Sequence, residues 1–357
     1  MSNYLYVNKS EQVEKKNIRE VSQEEIAAFL SANGEKAFRA KQIEEWIWQK
    51  GVQAFEEMTN LSKGIRELLN ATYYFDKLIP DCIQTASDGT TKTAWLLNDG
   101  QRIESVLIPG NEKYTVCVSS QAGCQLGCRF CATGELGFKR NLSVGEIFDQ
   151  VVQARKEAES RSSSLSHIVF MGMGEPLLND GNVLSAIQRI TSEKGLGMSP
   201  ARITVSTAGI PAKIRQLADE GVRFNLAVSL HSAKENVRNQ LMPVNRSYPL
   251  TELANSLIYF VEKTGIRPTL EYLLLHQVND SLEDARALAE YCRQFPVKIN
   301  IIEYNPVEGS EFRHSPDKQR DAFVQFLENR NMVVHIRKSK GKDIDAACGQ
   351  LANKRKD

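Results

Sequence analysis

The chain has 357 residues and a formal charge of +1, long enough for one large core and a smaller second one, with a balance that argues neither for nor against nucleic acid as a partner. No apolar run approaches the ~20 residues of a membrane span. The start Met1-Ser2-Asn3-Tyr4 lacks the basic-then-apolar order of a secretory signal, so the expectation is a cytoplasmic protein with no membrane partner.

In chain order, residues 1–20 are polar and aperiodic and read as a loose arm. From about 21 to 75 the pattern is helical. Ser22 or Gln23 starts a helix through Ile26, Phe29 and Leu30, Gln42–Gln49 forms a second with Ile43, Trp46 and Ile47 at spacings of three and four, and Asn60 caps a third carrying Ile65, Leu68 and Leu69. Trp46 and Trp48 are either core residues or base-stacking platforms. The period then changes. Thr91–Leu97 reads as a strand, Asn98-Asp99-Gly100 as a hairpin turn, and Arg102–Ile108 as the returning strand. From residue 114 on, strands alternate with helices. The strands are expected at Thr115–Ser119, His167–Phe170, Arg202–Ser206, Phe224–Ser229, Thr269–Leu275, Lys298–Ile302 and Val333–Ile336. The clearest helix is Val144–Glu159, with Val144, Ile147, Phe148, Val151 and Val152 on one stripe; others fall near 182–194, 211–220, 250–264, 281–295 and 316–330.

Six β-α repeats and a last strand argue for an α/β fold with a parallel sheet and helices outside it, too few for a closed eight-stranded barrel. A partial (βα)6 barrel fits, with an open doubly wound sheet as the alternative. The divisions expected are a helical N-terminal domain over 1–82, a β-hairpin connector over 83–113, the barrel over 114–340, and a C-terminal loop and tail over 341–357. Residues 335–357 carry Arg337, Lys338, Lys340, Lys342, Lys354, Arg355 and Lys356 against Asp343, Asp345 and Asp357, a basic tail that is either a solvated terminus or a phosphate contact.

The seven cysteines, an odd number, point to metal ligation or catalysis rather than a disulfide framework. Cys124, Cys128 and Cys131 lie within Cys124-Gln125-Leu126-Gly127-Cys128-Arg129-Phe130-Cys131, after the first strand of the alternating region. Thiolates are the usual ligands of iron–sulfur clusters, and three of them leave one iron open; zinc, with Cys117 as fourth ligand, is the competing reading. After the second strand comes Met171-Gly172-Met173-Gly174-Glu175-Pro176, where glycines admit a close ligand and Glu175 offers a partner for an ammonium group. Ser206, Ser229-Leu230-His231 and Asn305 follow later strands, so a barrel places all of them on one rim. His231 reads as a hydrogen-bonding group rather than a metal ligand. Cys348, in Gly341-Lys342-Asp343-Ile344-Asp345-Ala346-Ala347-Cys348-Gly349-Gln350-Leu351, is flanked by small residues that leave a thiol accessible.

The three-cysteine spacing at a strand end resembles the radical S-adenosylmethionine superfamily, and Gly174-Glu175 resembles its segment for the methionine amino group. Together with Cys117 and the run Asp343 to Leu351, the chain is similar over essentially its whole length to the RlmN/Cfr family of adenine methyltransferases. The resemblance implies a [4Fe–4S] cluster on Cys124, Cys128 and Cys131, and S-adenosylmethionine held by Gly174, Glu175, Ser206, Ser229, Leu230, His231 and Asn305. It also implies a chemistry that uses two molecules of S-adenosylmethionine. One methylates Cys348. The other yields a 5′-deoxyadenosyl radical that activates that methyl group for addition to an adenine. Cys117 then releases the product through a transient disulfide, with Glu104 as proton acceptor. Cys82 and Cys292 match no catalytic position. The run Gly174 to Asn179 is more like the branch that methylates C2 of adenine 2503 in 23S rRNA, and often adenine 37 in tRNA, than the antibiotic-resistance branch acting on C8. An external electron donor such as flavodoxin or ferredoxin is implied as well. A noncatalytic RNA-binding module with structural zinc is the alternative from another class.

Overall fold

The computed structural model describes residues 15–353. Most of the expected N-terminal arm, and Lys354, Arg355, Lys356 and Asp357 of the basic tail, lie outside the described residues. The chain divides into two compact units.

The first unit comprises the residues up to Lys77 and Glu193–Leu196. Its opening helix, Gln23–Ala32, starts at Ser22: the Ser22 hydroxyl accepts the Glu25 N–H and the Glu25 carboxylate accepts the Ser22 N–H, which satisfies two otherwise orphaned donors. Three expectations are corrected here. The helix expected over 42–49 is an α-helix from Arg39 to Glu44 that widens into a π turn over Glu45–Gln49. The helix Lys63–Thr72 is capped by Ser62 rather than Asn60, whose side chain accepts the Trp46 indole N–H instead. Residues 16–20, read as part of the arm, are packed: Lys16–Asn17 pairs in parallel with Tyr73–Tyr74, and Ile18 and Arg19 are buried. Trp48 is buried under the Arg19 guanidinium, 5.3 Å from its ring centroid, which removes it as a stacking platform. The Trp46 ring is covered by the Lys50 ammonium at 3.5 Å.

The second unit, Leu78–Ser192 and the residues from Gly197 on, is built on one ten-stranded sheet whose spatial order is its chain order. Strands β1 (Ile79–Thr85), β2 (Thr91–Leu96) and β3 (Arg102–Pro109) form an antiparallel meander that joins β4 (Tyr114–Cys117), also antiparallel. Six more strands follow in parallel: β5 (Leu165–Phe170), β6 (Ile203–Thr207), β7 (Asn225–Ser229), β8 (Thr269–Leu274), β9 (Lys298–Glu303) and β10 (Val334–Arg337). With β1 and β10 at its two ends the sheet is open. All seven strands expected in the alternating region are present. The centre of β7, Leu226, Ala227 and Val228, is apolar and buried on both faces, as in a covered parallel strand, whereas β6, β8 and β9 carry the polar Ser206, Glu271 and Asn300 on one face; helices pack against the sheet. Helix Val144–Ser160 buries Ile147, Phe148, Val151 and Val152 on that side and opens with a reciprocal cap between Ser143 and Glu146. The domain boundary expected after residue 82 falls inside β1, and the hairpin expected as a separate connector is continuous with the barrel sheet. The physical reason is that the free edge of β3 pairs with β4 rather than facing solvent.

Candidate active site

The three clustered cysteines sit on a loop closed at its base by a short antiparallel pair, Gln121–Gly123 with Phe138–Asn141. Between the cysteines, Leu126 and Phe130 pack against buried Leu241, Met242 and Tyr304. Arg129 N–H donates to the Leu241 carbonyl at 3.0 Å, so the loop is fixed to the body by side chain and backbone alike. Burial pushes the Cys124 thiol up to about 11, and burial with mutual repulsion raises Cys128 further. Cys131 is raised by burial as well. Three such thiols can be thiolates only beside a cation, and the donor set, all sulfur and with three members, suits an iron–sulfur cluster. Among the described residues no three His, Cys, Asp or Glu side chains converge on one metal ion. A cluster differs in taking each thiolate on a separate iron, so the residues present fit it.

Of the expected rim residues, Glu175 and His231 reach this loop and Asn305 reaches Cys348. Gly174, at φ +100°, lets the backbone pass so close to Gln121 that a Cβ there would stand 2.5 Å from the Gln121 Cβ. Next to it, the buried Glu175 carboxylate accepts N–H groups of Leu177 at 3.0 Å and Ala208 at 2.8 Å. It lies near enough to Cys124 and Cys128 to raise both thiols. Glu175, expected to meet an ammonium group, is thus first of all locked to the end of β6. Ser206 is half-buried on β6, opposite Ala227 of β7. Ser229 ends β7, Leu230 follows it, and His231 comes next at φ +56°. The His231 ring stands edge-to-face on Phe130, its centroid 4.7 Å away. Its Nδ1 accepts the Leu273 N–H at 3.1 Å, which leaves the proton of the neutral ring on Nε2. Burial and the neighbouring Arg238 push its pKa down to about 3. Asn305, buried after β9, directs its Nδ2 to the Cys348 carbonyl at 3.5 Å, while its Oδ1 is buried with no partner.

Cys348 lies on the C-terminal segment, which crosses this rim. Gly349 O accepts the Ala132 N–H at 2.8 Å and Leu351 O accepts the Thr133 hydroxyl at 2.6 Å, tying the segment to the cysteine loop. The Cys348 side chain is exposed, yet the surrounding protein, with Glu271 and Cys131, pushes its thiol up to about 11. Cys117, buried at the end of β4, is raised by burial and by the Cys348 thiol. All seven cysteines are free, so the disulfide expected between Cys117 and Cys348 is not formed here. Gly341, at the start of this run, is packed: a Cβ on it would meet Ala346 at 2.8 Å and Thr90 at 2.9 Å. Glu104, expected as a proton acceptor, is buried and ion-paired with Lys92.

Three residues at this site escaped the sequence reading. Arg238, fully buried, donates to the carbonyls of Ala208 (2.6 Å), Leu230 (3.1 Å) and Ser229 (3.3 Å) and to Asn245, stitching the ends of β6 and β7 together. It comes from helix Glu235–Leu241, itself unforeseen. Glu271 on β8 accepts from Asn300 on β9 at 2.8 Å, directly across the strand pair. Lys92 is the third. Its signal was present in the hairpin register, which makes it a diagonal neighbour of Glu104.

A family model described as the ribosomal RNA large subunit methyltransferase N-terminal domain matches residues 16–74, and a radical SAM superfamily model matches residues 118–290. A protein of Flavobacterium psychrophilum named probable dual-specificity RNA methyltransferase RlmN is 49% identical over 344 residues, 96% of this chain and 99% of that protein. A Bacillus subtilis protein of the same name is 42% identical over 352 residues, 99% of this chain and 97% of that one. The crystal structure of a radical SAM methyltransferase from Sphaerobacter thermophilus superposes with a TM-score of 0.89 at 38% identity, covering 94% of this chain and 99% of that chain.

Proposed function

The chain belongs to the RlmN family of dual-specificity RNA methyltransferases, and we propose that it methylates C2 of adenine in both rRNA and tRNA, at adenine 2503 of 23S rRNA and adenine 37 of tRNA, through a methyl group carried on Cys348. It is a radical S-adenosylmethionine RNA methyltransferase. Whole-length similarity to methyltransferases weighs against the noncatalytic zinc module, and the relatives' shared name against the C8 branch. The observation that carries the reading is the placement of Cys348. An accessible thiol on a segment tied to the cysteine loop lies beside Asn305 and close enough to Cys117 to raise it.

An adenine ring carbon bearing hydrogen is a poor nucleophile, so the chain needs a carrier that takes the methyl group first. Cys348 is that carrier: its sulfur attacks the methyl carbon of S-adenosylmethionine, the sulfonium C–S bond breaks, and S-adenosylhomocysteine leaves. Cys124, Cys128 and Cys131 would hold a [4Fe–4S] cluster, and the chemistry it would supply when bound is the electron for reductive cleavage of a second S-adenosylmethionine, which activates the carried methyl group. Gly174, Glu175, Ser206, Ser229, Leu230, His231 and Asn305 line the rim where S-adenosylmethionine binds; the locked Glu175 and the neutral His231 present fixed polar groups there. Cys117 resolves the adduct: its thiolate sulfur bonds to the Cys348 sulfur, the bond from that sulfur to the product carbon breaks with its electron pair going to the carbon, which takes up a proton, and an external dithiol later reduces the disulfide to two thiols. In this reading Glu104 accepts the adenine proton once residues 352–353 leave its carboxylate. The N-terminal unit and the basic tail meet the RNA, an external donor of the flavodoxin or ferredoxin type supplies electrons, and the setting is cytoplasmic. No helix among the described residues is long and apolar enough to cross a membrane.

Two variants test the assignment. Cys348→Ala is expected to acquire no methyl group and to form no RNA adduct. Cys117→Ala is expected to methylate Cys348, attack RNA and stall as a covalent protein–RNA complex visible on a denaturing gel. Normal turnover by Cys117→Ala, with no trapped complex, would contradict the role given to Cys117.

A further inference from the structure

We propose that Lys92 and Glu104 form a buckle that closes the loop carrying Cys348, with Lys92 acting as a positioning residue for that thiol. The two side chains are 5% and 1% exposed, and their charged groups lie 3.3 Å apart. Each also reaches the C-terminal segment, on opposite sides of Cys348. Lys92 Nζ donates to the Asp345 carbonyl at 3.2 Å. Ala352 and Asn353 donate their N–H groups to Glu104 Oε2 at 2.9 and 3.3 Å. One ion pair thus holds both ends of a loop with Cys348 between them.

A buried ion pair on its own is weak grounds for stability, because apolar residues of similar size would fill the space without desolvating charge. The donors and acceptors that these two groups do not spend on each other go to backbone groups of the segment. Among its described residues that segment has no strand ladder to place it and one regular turn, Lys342–Ile344. Besides the backbone bond from Ala132 to Gly349, its position depends on side-chain anchors. Two of these, Asp88 to Gly341 N–H and Asp343 to Ser87 N–H, act at the upstream end. The buckle is the anchor that spans Cys348 itself. Sequence and register supply it simply: Ala94 pairs with Glu104 and Lys92 with Val106, so the two long side chains meet diagonally on one face of the hairpin.

The inference rests on the proposed function only in naming Cys348 as the methyl carrier. Its test is independent of that chemistry. Amide hydrogen exchange of Ala352 and Asn353, and iodoacetamide labelling at Cys348, are compared in cluster-loaded wild-type protein and two neutral double variants. Lys92→Met with Glu104→Leu removes both ends of the buckle. Lys92→Met with Glu104→Gln keeps an oxygen for the Ala352 N–H. The first is expected to speed exchange at 352–353 by about tenfold or more, as local opening does, and to change Cys348 labelling several-fold, while peptides from Thr91–Leu96 and labelling of Cys292 stay as in the wild type. The second is expected to restore protection at 352–353 in part. Wild-type exchange and labelling in the first variant would overturn the proposal. So would equal loss of protection in the strand peptides, or no difference between the two variants, either of which would make the pair a general stabiliser of the sheet.

Discussion

Glu271 shows how a single side chain here carries both fold and reactivity. It sits buried among parallel strands, held by Asn300 at 2.8 Å, and its charge bears on the Cys348 thiol. Burial pushes its pKa up to about 7, opposed by the Asn300 hydrogen bond and by Arg337. A carboxyl raised in the folded state stabilises below its unfolded value, and that contribution is lost as pH rises through the folded value. Glutamine copies the neutral acid and still accepts from Asn300. Glu271→Gln is therefore expected to match the wild type near pH 5 and to be more stable than it near pH 8, by on the order of 1 to 3 kcal/mol, read from urea midpoints. A difference independent of pH would contradict the burial of a titrating carboxyl. At this scale the sequence was legible where spacing carries chemistry. Three thiols within one short run and a lone cysteine among small residues announce themselves. Glu271 and Arg238 do not, since a charged residue in an apolar strand or a short helix reads as exposed until tertiary packing encloses it.

At the level of elements, the loop from Cys124 to Cys131 is held by features far away in sequence: the Leu241 carbonyl, Gly349 and Thr133 through Leu351. A loop so fixed keeps its thiols in place without help from metal–ligand bonds. Replacing Cys124, Cys128 and Cys131 together by Ala is accordingly expected to leave the fold intact by circular dichroism. Iron and acid-labile sulfide in anaerobically purified protein should fall to background; stoichiometric iron in the triple variant would place the cluster elsewhere. The parallel strands and their helices were readable in the sequence because their apolar runs and stripes are long. Strand β1 was not. Its Pro80 and Asp81 argue against a strand, and they are tolerated because β1 is an edge with exposed Ile79 and Ile83. Gln121–Gly123 and Phe138–Asn141 are too short to show a period, and their pairing is set by the loop they close.

For the molecule as a whole, the open sheet gathers groups from β4, from the ends of β5, β6, β7 and β9, and from the C-terminal segment. Residues far apart in the chain meet there, Glu104 with Ala352 across 248 positions and Lys92 with Asp345 across 253. That long-range closure is what a single sequence states least directly, because it depends on the sheet's order and register rather than on local pattern. The near-neutral total charge gave no sign of an RNA substrate. The central claim is nonetheless about RNA. It is tested most directly by incubating the reconstituted protein with S-adenosylmethionine, a reductant and unmodified 23S rRNA and tRNA, then digesting the RNA and identifying nucleosides by mass spectrometry against 2-methyladenosine and 8-methyladenosine standards. The account predicts 2-methyladenosine in both RNAs, dependent on Cys348; 8-methyladenosine alone, or no methylated adenosine from active cluster-loaded protein, would contradict it.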